Sequence, residues 1–181
     1  MNQRSPRAFT LIELLIVIAI IGILVALSAP ELEKYVHRAR SAACMNNLRE
    51  IGVSVLGYVG ENDNKYPIIE PNPDDPVYDP EAEATPLLEE LEPYGVTKSV
   101  LKCPEDKKYI VERGMSYQWR PIVDDENAAA PKIYGGRRGA GVRVVKPSRV
   151  TICTDFEGIH FGRLNRLYAD GHVVAKLFGE N

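Results

Sequence analysis

The chain has 181 residues, 26% of them charged, and a formal net charge of −3 at pH 7. No basic stretch dominates, and Arg137-Arg138 and Arg143 stand among glycines, the pattern of a solvated loop, so a nucleic-acid partner is set aside. The three cysteines, Cys44, Cys103 and Cys153, are an odd number. At most one intramolecular disulfide can form, and their spacings match no zinc-binding pattern.

From Phe9 to Pro30 the sequence is apolar or small apart from Thr10, Ser28 and one full charge, Glu13. As a helix this stretch is about 33 Å long, enough to cross the roughly 30 Å hydrocarbon core of a bilayer. Arg4 and Arg7 just upstream predict a cytoplasmic N-terminus, with everything after Pro30 across the membrane. Glu13 has two readings. An ionisable residue inside a membrane helix points to function, whereas a carboxylate near one end can simply snorkel to the headgroups. Ala26-Leu27-Ser28 offers the small residues of a signal-peptidase site. A charge inside the run, and a run longer than the usual ~7–15 residues, argue against a secretory signal.

The helical period continues past Pro30. Cys44, Leu48, Ile51, Val55 and Val59 fall on one face, predicting one helix of roughly 50 residues, apolar all round at first and amphipathic later. Gly57, Gly60 and Glu61-Asn62-Asp63-Asn64 are expected to end it in a turn; they lack the twelve-residue calcium-loop pattern. Residues 67–86, rich in proline and acid, read as an exposed loop. Thr85 then reads as an N-cap, with Pro86 first in a short helix carrying Leu87, Leu88 and Leu91 and stopping by Pro93 or Gly95. Strands are expected at 100–103, closed by Pro104, and at 115–119. Residues 124–141 read as a surface loop. Two more strands, at 143–145 and 149–154, are interrupted by Lys146-Pro147-Ser148. At the C-terminus Arg166-Leu167-Tyr168 and Val173-Val174-Ala175 flank Asp170-Gly171, predicting a tight hairpin with positive φ at both turn residues.

Ala8-Phe9-Thr10-Leu11-Ile12-Glu13 and the apolar run after it resemble the N-terminus of type IV pilins and the pseudopilins of type II secretion. Basic leader, Phe at the junction, Glu four residues later and a long apolar stretch all match; where the family usually has Gly before the junction, this chain has Ala8. The resemblance implies cleavage by a prepilin peptidase between Ala8 and Phe9 and methylation of the new Phe9 amine. It further implies that Glu13 of one subunit pairs with the Phe9 amine of a neighbour, removing the cost of burying either charge alone. Gly22 and Pro30 also match family positions. Pro30 leaves a carbonyl without its helical donor and Gly22 is a weak helix former, so local melting between them is expected on assembly.

A second resemblance covers the rest of the chain. His160 is followed by nine residues and then Asp170-Gly171, as in a large group of pilin-like proteins. Cys44-Met45-Asn46-Asn47-Leu48, Asn62-Asp63-Asn64 before Tyr66-Pro67, Cys103-Pro104 and Tyr168-Ala169-Asp170-Gly171-His172-Val173 match as well. Cys44 on the buried stripe and Cys103 at a strand end allow two readings, a disulfide worth ~2–4 kcal/mol or two buried thiols. Cys153 reads as a small core residue. Asp155, Glu157, His160, Asp170 and His172 crowd together in sequence. They suit a divalent metal, calcium being found in related pseudopilins; alternatively Asp170 belongs to the turn and His160 hydrogen-bonds a loop. No Ser or Cys nucleophile with a nearby base is evident.

The expected fold is α+β and pilin-like, a long N-terminal helix packed on a small antiparallel sheet. Residues 1–8 are the leader, 9–30 the transmembrane and filament-core helix, and 31–181 an extracytoplasmic domain. The expected function is that of a structural subunit of a pilus-like filament, a type II secretion pseudopilin or a type IV pilin, without catalysis and with no cofactor beyond the divalent-metal reading. Its partners would be further copies in a helical filament, prepilin peptidase, inner-membrane assembly proteins and lipid. Two rivals stand beside it: a membrane-anchored binding or adhesion module using the pilin-type N-terminus for export, and a metal-dependent hydrolase built on Asp155, His160, Asp170 and His172.

Overall fold

The computed structural model describes residues 10–70, 85–133, 143–160 and 162–177. It divides into two compact units, Met1–Arg38 and Ala39–Asn181. Helix α1 (Leu11–Glu61) forms the described first unit beyond Thr10 and continues into the second. Two short helices follow, α2 (Leu87–Leu91) and α3 (Tyr109–Arg113). The strands are β1 (Tyr117–Trp119), β2 (Lys132–Ile133), β3 (Arg143–Val144), β4 (Thr151–Asp155), β5 (Arg163–Tyr168) and β6 (Val173–Leu177).

In the first unit, every large apolar side chain from Leu11 to Leu27 is exposed. Leu11–Ser28 has a mean hydropathy of 3.0 and, among the described residues, is the one span long and apolar enough to cross a membrane. An apolar surface this continuous is one that lipid or another protein covers. The helix runs without a break through Gly22 and Pro30. Ser28 donates its hydroxyl to the Leu24 carbonyl at 2.8 Å, an extra local bond in the stretch where Pro30 removes a backbone donor. Surface charge returns with the Glu31–Lys34 pair at 2.7 Å.

In the second unit, the stripe read from the sequence is the stripe that is buried. Cys44, Leu48, Ile51 and Val55 are fully enclosed and Val59 nearly so. Against it packs an antiparallel four-stranded sheet of order β1-β4-β5-β6. Polar side chains fix the contact at several heights. Asn47 Nδ2 donates to Lys102 O at 2.9 Å and to Tyr117 Oη at 3.0 Å, and Ser54 Oγ donates to Tyr94 O at 2.9 Å. β4 lies between β1 and β5, and its last four residues are all buried.

Several expectations are corrected. The helix passes through Gly57 and Gly60 to Glu61 and ends, as expected, in the polar run Glu61-Asn62-Asp63-Asn64; Tyr94 packs on Gly57, where a Cβ would lie 3.3 Å from its ring. The turn itself is made by Asp63 (φ 52°) and Asn64 (φ 59°), residue types that tolerate the left-handed region. Residues 67–70 are only half exposed: Ile68 and Glu70 face out, whereas Pro67 and Ile69 are buried and Ile69 bridges Thr85. The rest of the expected acidic loop, 71–84, lies outside the described residues. Thr85 is spent on that bridge, so Pro86 rather than Thr85 occupies the N-cap of α2. Residues 98–101 form turns instead of a strand, with the amides of Val100 and Leu101 both donating to Thr97 O. Burial of these two side chains had the same apolar signature as a strand. Helix α3 was not expected; Asp106 holds its start by accepting from the amides of Lys108, Tyr109 and Ile110, each at 2.9 Å. Inside the expected 124–141 loop lies β2, which pairs with β3 of the expected 143–145 strand as a separate two-stranded ribbon.

The C-terminal hairpin is present, but its loop is longer than expected. Leu167 pairs with Val173, Gly171 N donates to Tyr168 O at 2.8 Å and Tyr168 N to His172 O at 2.9 Å. Among the turn residues only Gly171 has positive φ (88°). This is a three-residue loop with glycine at the left-handed position, so Asp170 needs no unusual backbone.

Candidate functional site

Two clusters carry the residues singled out from the sequence. The first lies at the start of α1. Thr10 N and Thr10 Oγ1 each donate to Glu13 Oε2 at 2.8 Å, and Glu13 N donates back to Thr10 Oγ1 at 3.3 Å. This reciprocal arrangement is a capping box: the first-turn amides have no intrahelical partner, and a Thr three residues ahead of a Glu supplies acceptors for them. The Thr-x-x-Glu spacing is legible in the sequence and adds a capping role to the readings of Glu13 as a membrane charge. Glu13 Oε1 has no partner among the described residues. Ala8 and Phe9 lie outside the described residues.

The second cluster lies between α1, the segment after α2 and the sheet. Cys44 and Cys103 are joined by a disulfide with Cα atoms 5.1 Å apart, so the bonded reading is the one the structure adopts. Cys153 is a free, buried thiol, and burial pushes its pKa up. His160, only 5% exposed, places Nε2 3.5 Å from Cys103 Sγ and 3.1 Å from Asp155 Oδ2. Asp155 is held from the other side by Asn165, whose backbone N donates to Oδ1 at 2.9 Å and whose Nδ2 donates to Oδ2 at 2.8 Å. Burial raises the pKa of Asp155, and the bonds from His160 and Asn165 oppose the rise. A buried carboxylate with three donors is a satisfied one. Asn165 was missed, since a partner ten residues away across a strand pair leaves no local signal.

The four residues offered for a metal do not form one group. Asp155 and His160 are a buried pair, whereas Asp170 and His172 are a half-exposed pair at the hairpin. There Asp170 Oδ1 accepts from His172 Nδ1, and the His172 ring stacks on Tyr168 with centroids 4.3 Å apart. Asp170 therefore clamps the turn. Gly171 has a steric role as well: a Cβ there would lie 2.9 Å from Leu56 Cδ1 on α1. Opposite it, a Cβ on Gly52 would lie 2.7 Å from Leu167 Cδ1 and 3.3 Å from Gly171 O. Helix and hairpin meet through two glycines.

Beside β1 is a cleft of about 460 Å³ whose walls include Trp119, Tyr117, Phe156, Met115, Glu70 and Glu112. Behind it, Asp124 accepts from Trp119 Nε1 at 3.0 Å and from Ile69 N at 3.2 Å. Burial lifts its pKa from the ordinary 3.8 to about 6 despite these donors.

An exposed apolar helix that starts in a Thr–Glu cap, with its second half packed on a small antiparallel sheet, is an α+β, pilin-like arrangement. The model of the prokaryotic N-terminal methylation motif matches residues 3–29, which include the Ala8-Phe9 junction, Glu13 and Gly22. That match stops short of His160 and Asp170-Gly171. The chain is 27% identical over 110 residues to the ComG operon protein 3 homolog of Bacillus licheniformis, covering 61% of this chain and 94% of that protein. It is also 40% identical over 62 residues to the type IV major pilin protein PilA of Myxococcus xanthus, and 34% identical over 70 residues to the type IV major fimbrial protein FimA of Dichelobacter nodosus. These matches take in 34% and 31% of this chain, and only 28% and 45% of the two relatives. No solved structure matches the chain significantly.

Proposed function

We propose that the chain is a structural subunit of a pilus or pseudopilus, made as a precursor and cut between Ala8 and Phe9. The observation that carries this reading is the continuous exposed apolar helix of Leu11–Ser28 with a single carboxylate at its first turn, inside the matched methylation motif. Before assembly the helix anchors the subunit as a single pass in the inner membrane, N-terminus cytoplasmic and the sheet domain outside. Prepilin peptidase frees the Phe9 amine, inner-membrane assembly proteins take up the subunit, and the apolar helices pack in the filament core.

Glu13 is suited to join one subunit to the next. Thr10 occupies Oε2, so Oε1 remains for the amine of a neighbour, and a charge-assisted bond in an apolar core is strong because nothing screens it. Whichever charge is left alone in that core makes misassembly costly. Glu13→Ala is expected to insert into membranes normally yet polymerise poorly, measured by membrane fractionation beside electron microscopy of sheared filaments. Filaments of normal abundance from Glu13→Ala would overturn the role given to Glu13. Intact-mass analysis of the mature protein tests processing separately: N-methylated Phe9 as the first residue is expected.

The cleft beside β1 favours, as a second reading, a membrane-anchored binding module that uses this N-terminus for export. An aromatic wall with two nearby carboxylates is the composition of a small-ligand site. Absence of filaments from cells expressing the native protein at its normal level separates this reading from the first.

A further inference from the structure

The disulfide and its histidine hold more than a covalent cross-link needs. Cys44 Sγ, Cys103 Sγ and a His160 ring nitrogen all lie within 4.8 Å of one another, and all three residues are buried. In a tetrahedral zinc site with Zn–S near 2.3 Å and Zn–N near 2.05 Å, sulfur and nitrogen sit about 3.5 Å apart and two sulfurs about 3.8 Å apart. Cys103 Sγ and His160 Nε2 are 3.5 Å apart already. Asp155 Oδ2, 3.1 Å from the same nitrogen, is the nearest oxygen for a fourth position. Once the sulfur–sulfur bond is gone, the two sulfurs must separate, and Cys44 Sγ, already within 4.8 Å of the ring nitrogen, must come to ligand distance.

We propose that the reduced protein binds one zinc-like divalent ion through Cys44, Cys103 and His160, with Asp155 beside them, so that the same side chains fasten α1 to the segment at 103 by a disulfide or by a metal. The two states exclude each other. With a trialkylphosphine as reductant, the phosphine and one water become the phosphine oxide while the disulfide becomes two thiols. Binding of the ion then releases the two thiol protons, and the neutral His160 ring carries its proton on Nδ1 instead of Nε2, so that the Nε2 lone pair takes the metal in place of its contacts with Asp155 and Cys103. Thiolate and imidazole donors select zinc over calcium. This set differs from the acid-rich group suggested by sequence, because the two cysteines are brought to His160 only by the fold.

The test uses the full chain in detergent micelles, oxidised or phosphine-reduced and freed of reductant under argon, titrated with Co²⁺ and then Zn²⁺. Expected for the reduced protein is one ion per chain, with thiolate-to-cobalt charge-transfer absorption and tetrahedral d–d bands that Zn²⁺ abolishes; the oxidised protein should show neither. His160→Ala and His160→Gln should each weaken Zn²⁺ binding by about tenfold or more, with unchanged circular dichroism. Cys153→Ser should behave as wild type. The proposal is overturned by lack of binding on reduction, by equal binding when oxidised, by histidine variants that bind as tightly, or by binding that follows Cys153. It is equally overturned if binding appears only as the sheet's circular dichroism is lost.

Discussion

Exchanging glycine for alanine at two positions of α1 should move stability in opposite directions. Alanine in a helix interior is favoured over glycine by about 1 kcal/mol, wherever the site has room. At Gly60, in the last turn of α1, nothing lies within 4 Å of the added Cβ, so Gly60→Ala should gain up to that amount. At Gly52 the Cβ would stand 2.7 Å from Leu167 Cδ1 and 3.3 Å from the carbonyl oxygen of Gly171. Leu167 is fully buried in the sheet, and the second obstacle is backbone fixed by the hairpin's own hydrogen bonds. Overpacking of this kind costs about 1–3 kcal/mol, and the fixed backbone puts this case at the upper end. After the helical gain, Gly52→Ala should lose about 2 kcal/mol. For a chain of this size each kcal/mol moves Tm by about 2–4 °C. Gly52→Ala should therefore melt about 4–8 °C below wild type, and Gly60→Ala above it by at most about 2–4 °C. Thermal unfolding of the oxidised protein in detergent, followed by near-ultraviolet circular dichroism of Trp119, reads both. If Gly52→Ala is as stable as Gly60→Ala, helix and hairpin do not meet as closely as described.

Removing the disulfide with Cys44→Ser and Cys103→Ser together should cost about 2–4 kcal/mol, since the bond closes a loop across 59 positions; denaturant titration against wild type measures it. Asp124 carries a pH dependence. Its pKa is about 6 in the fold against an ordinary 3.8, so the folded state holds the proton more tightly. Its contribution is greatest below about pH 4 and is lost as pH rises through 6, a swing on the order of 3 kcal/mol. Asp124→Asn should flatten stability between pH 4 and 7, measured by thermal melts across that range, and an unchanged slope would assign it to other groups. Gly171→Ala, strained at φ 88° and crowded by Leu56, should destabilise by about 1–3 kcal/mol in the same melts.

The parts of this fold legible in the sequence are those with a period or a strong turn signal. Cys44 to Val59 announced their buried face because helical spacing repeats over four turns. Asp170-Gly171 announced a hairpin, although pairing of Leu167 with Val173 drew Ala169 into the loop and changed the turn. Val100 and Leu101 misled because a short apolar run is equally a strand or a buried turn, and no period separates them. Thr10 was overlooked although its spacing to Glu13 was readable. The partnership of His160 with Cys103, and of Asp155 with Asn165, could not be read locally: each joins residues on different elements that only tertiary packing brings together.

The bridge between Ile69 and Thr85 has a consequence for how this domain can vary. Glu70 N donates to Thr85 O at 2.9 Å and Thr85 N to Ile68 O at 3.4 Å, so two points far apart in sequence are fixed side by side. Doubling the number of flexible residues between two such fixed points adds only about 0.6 kcal/mol of closure entropy. An epitope or affinity tag inserted between Glu70 and Thr85 should therefore leave this pairing, and the core that encloses Ile69, intact.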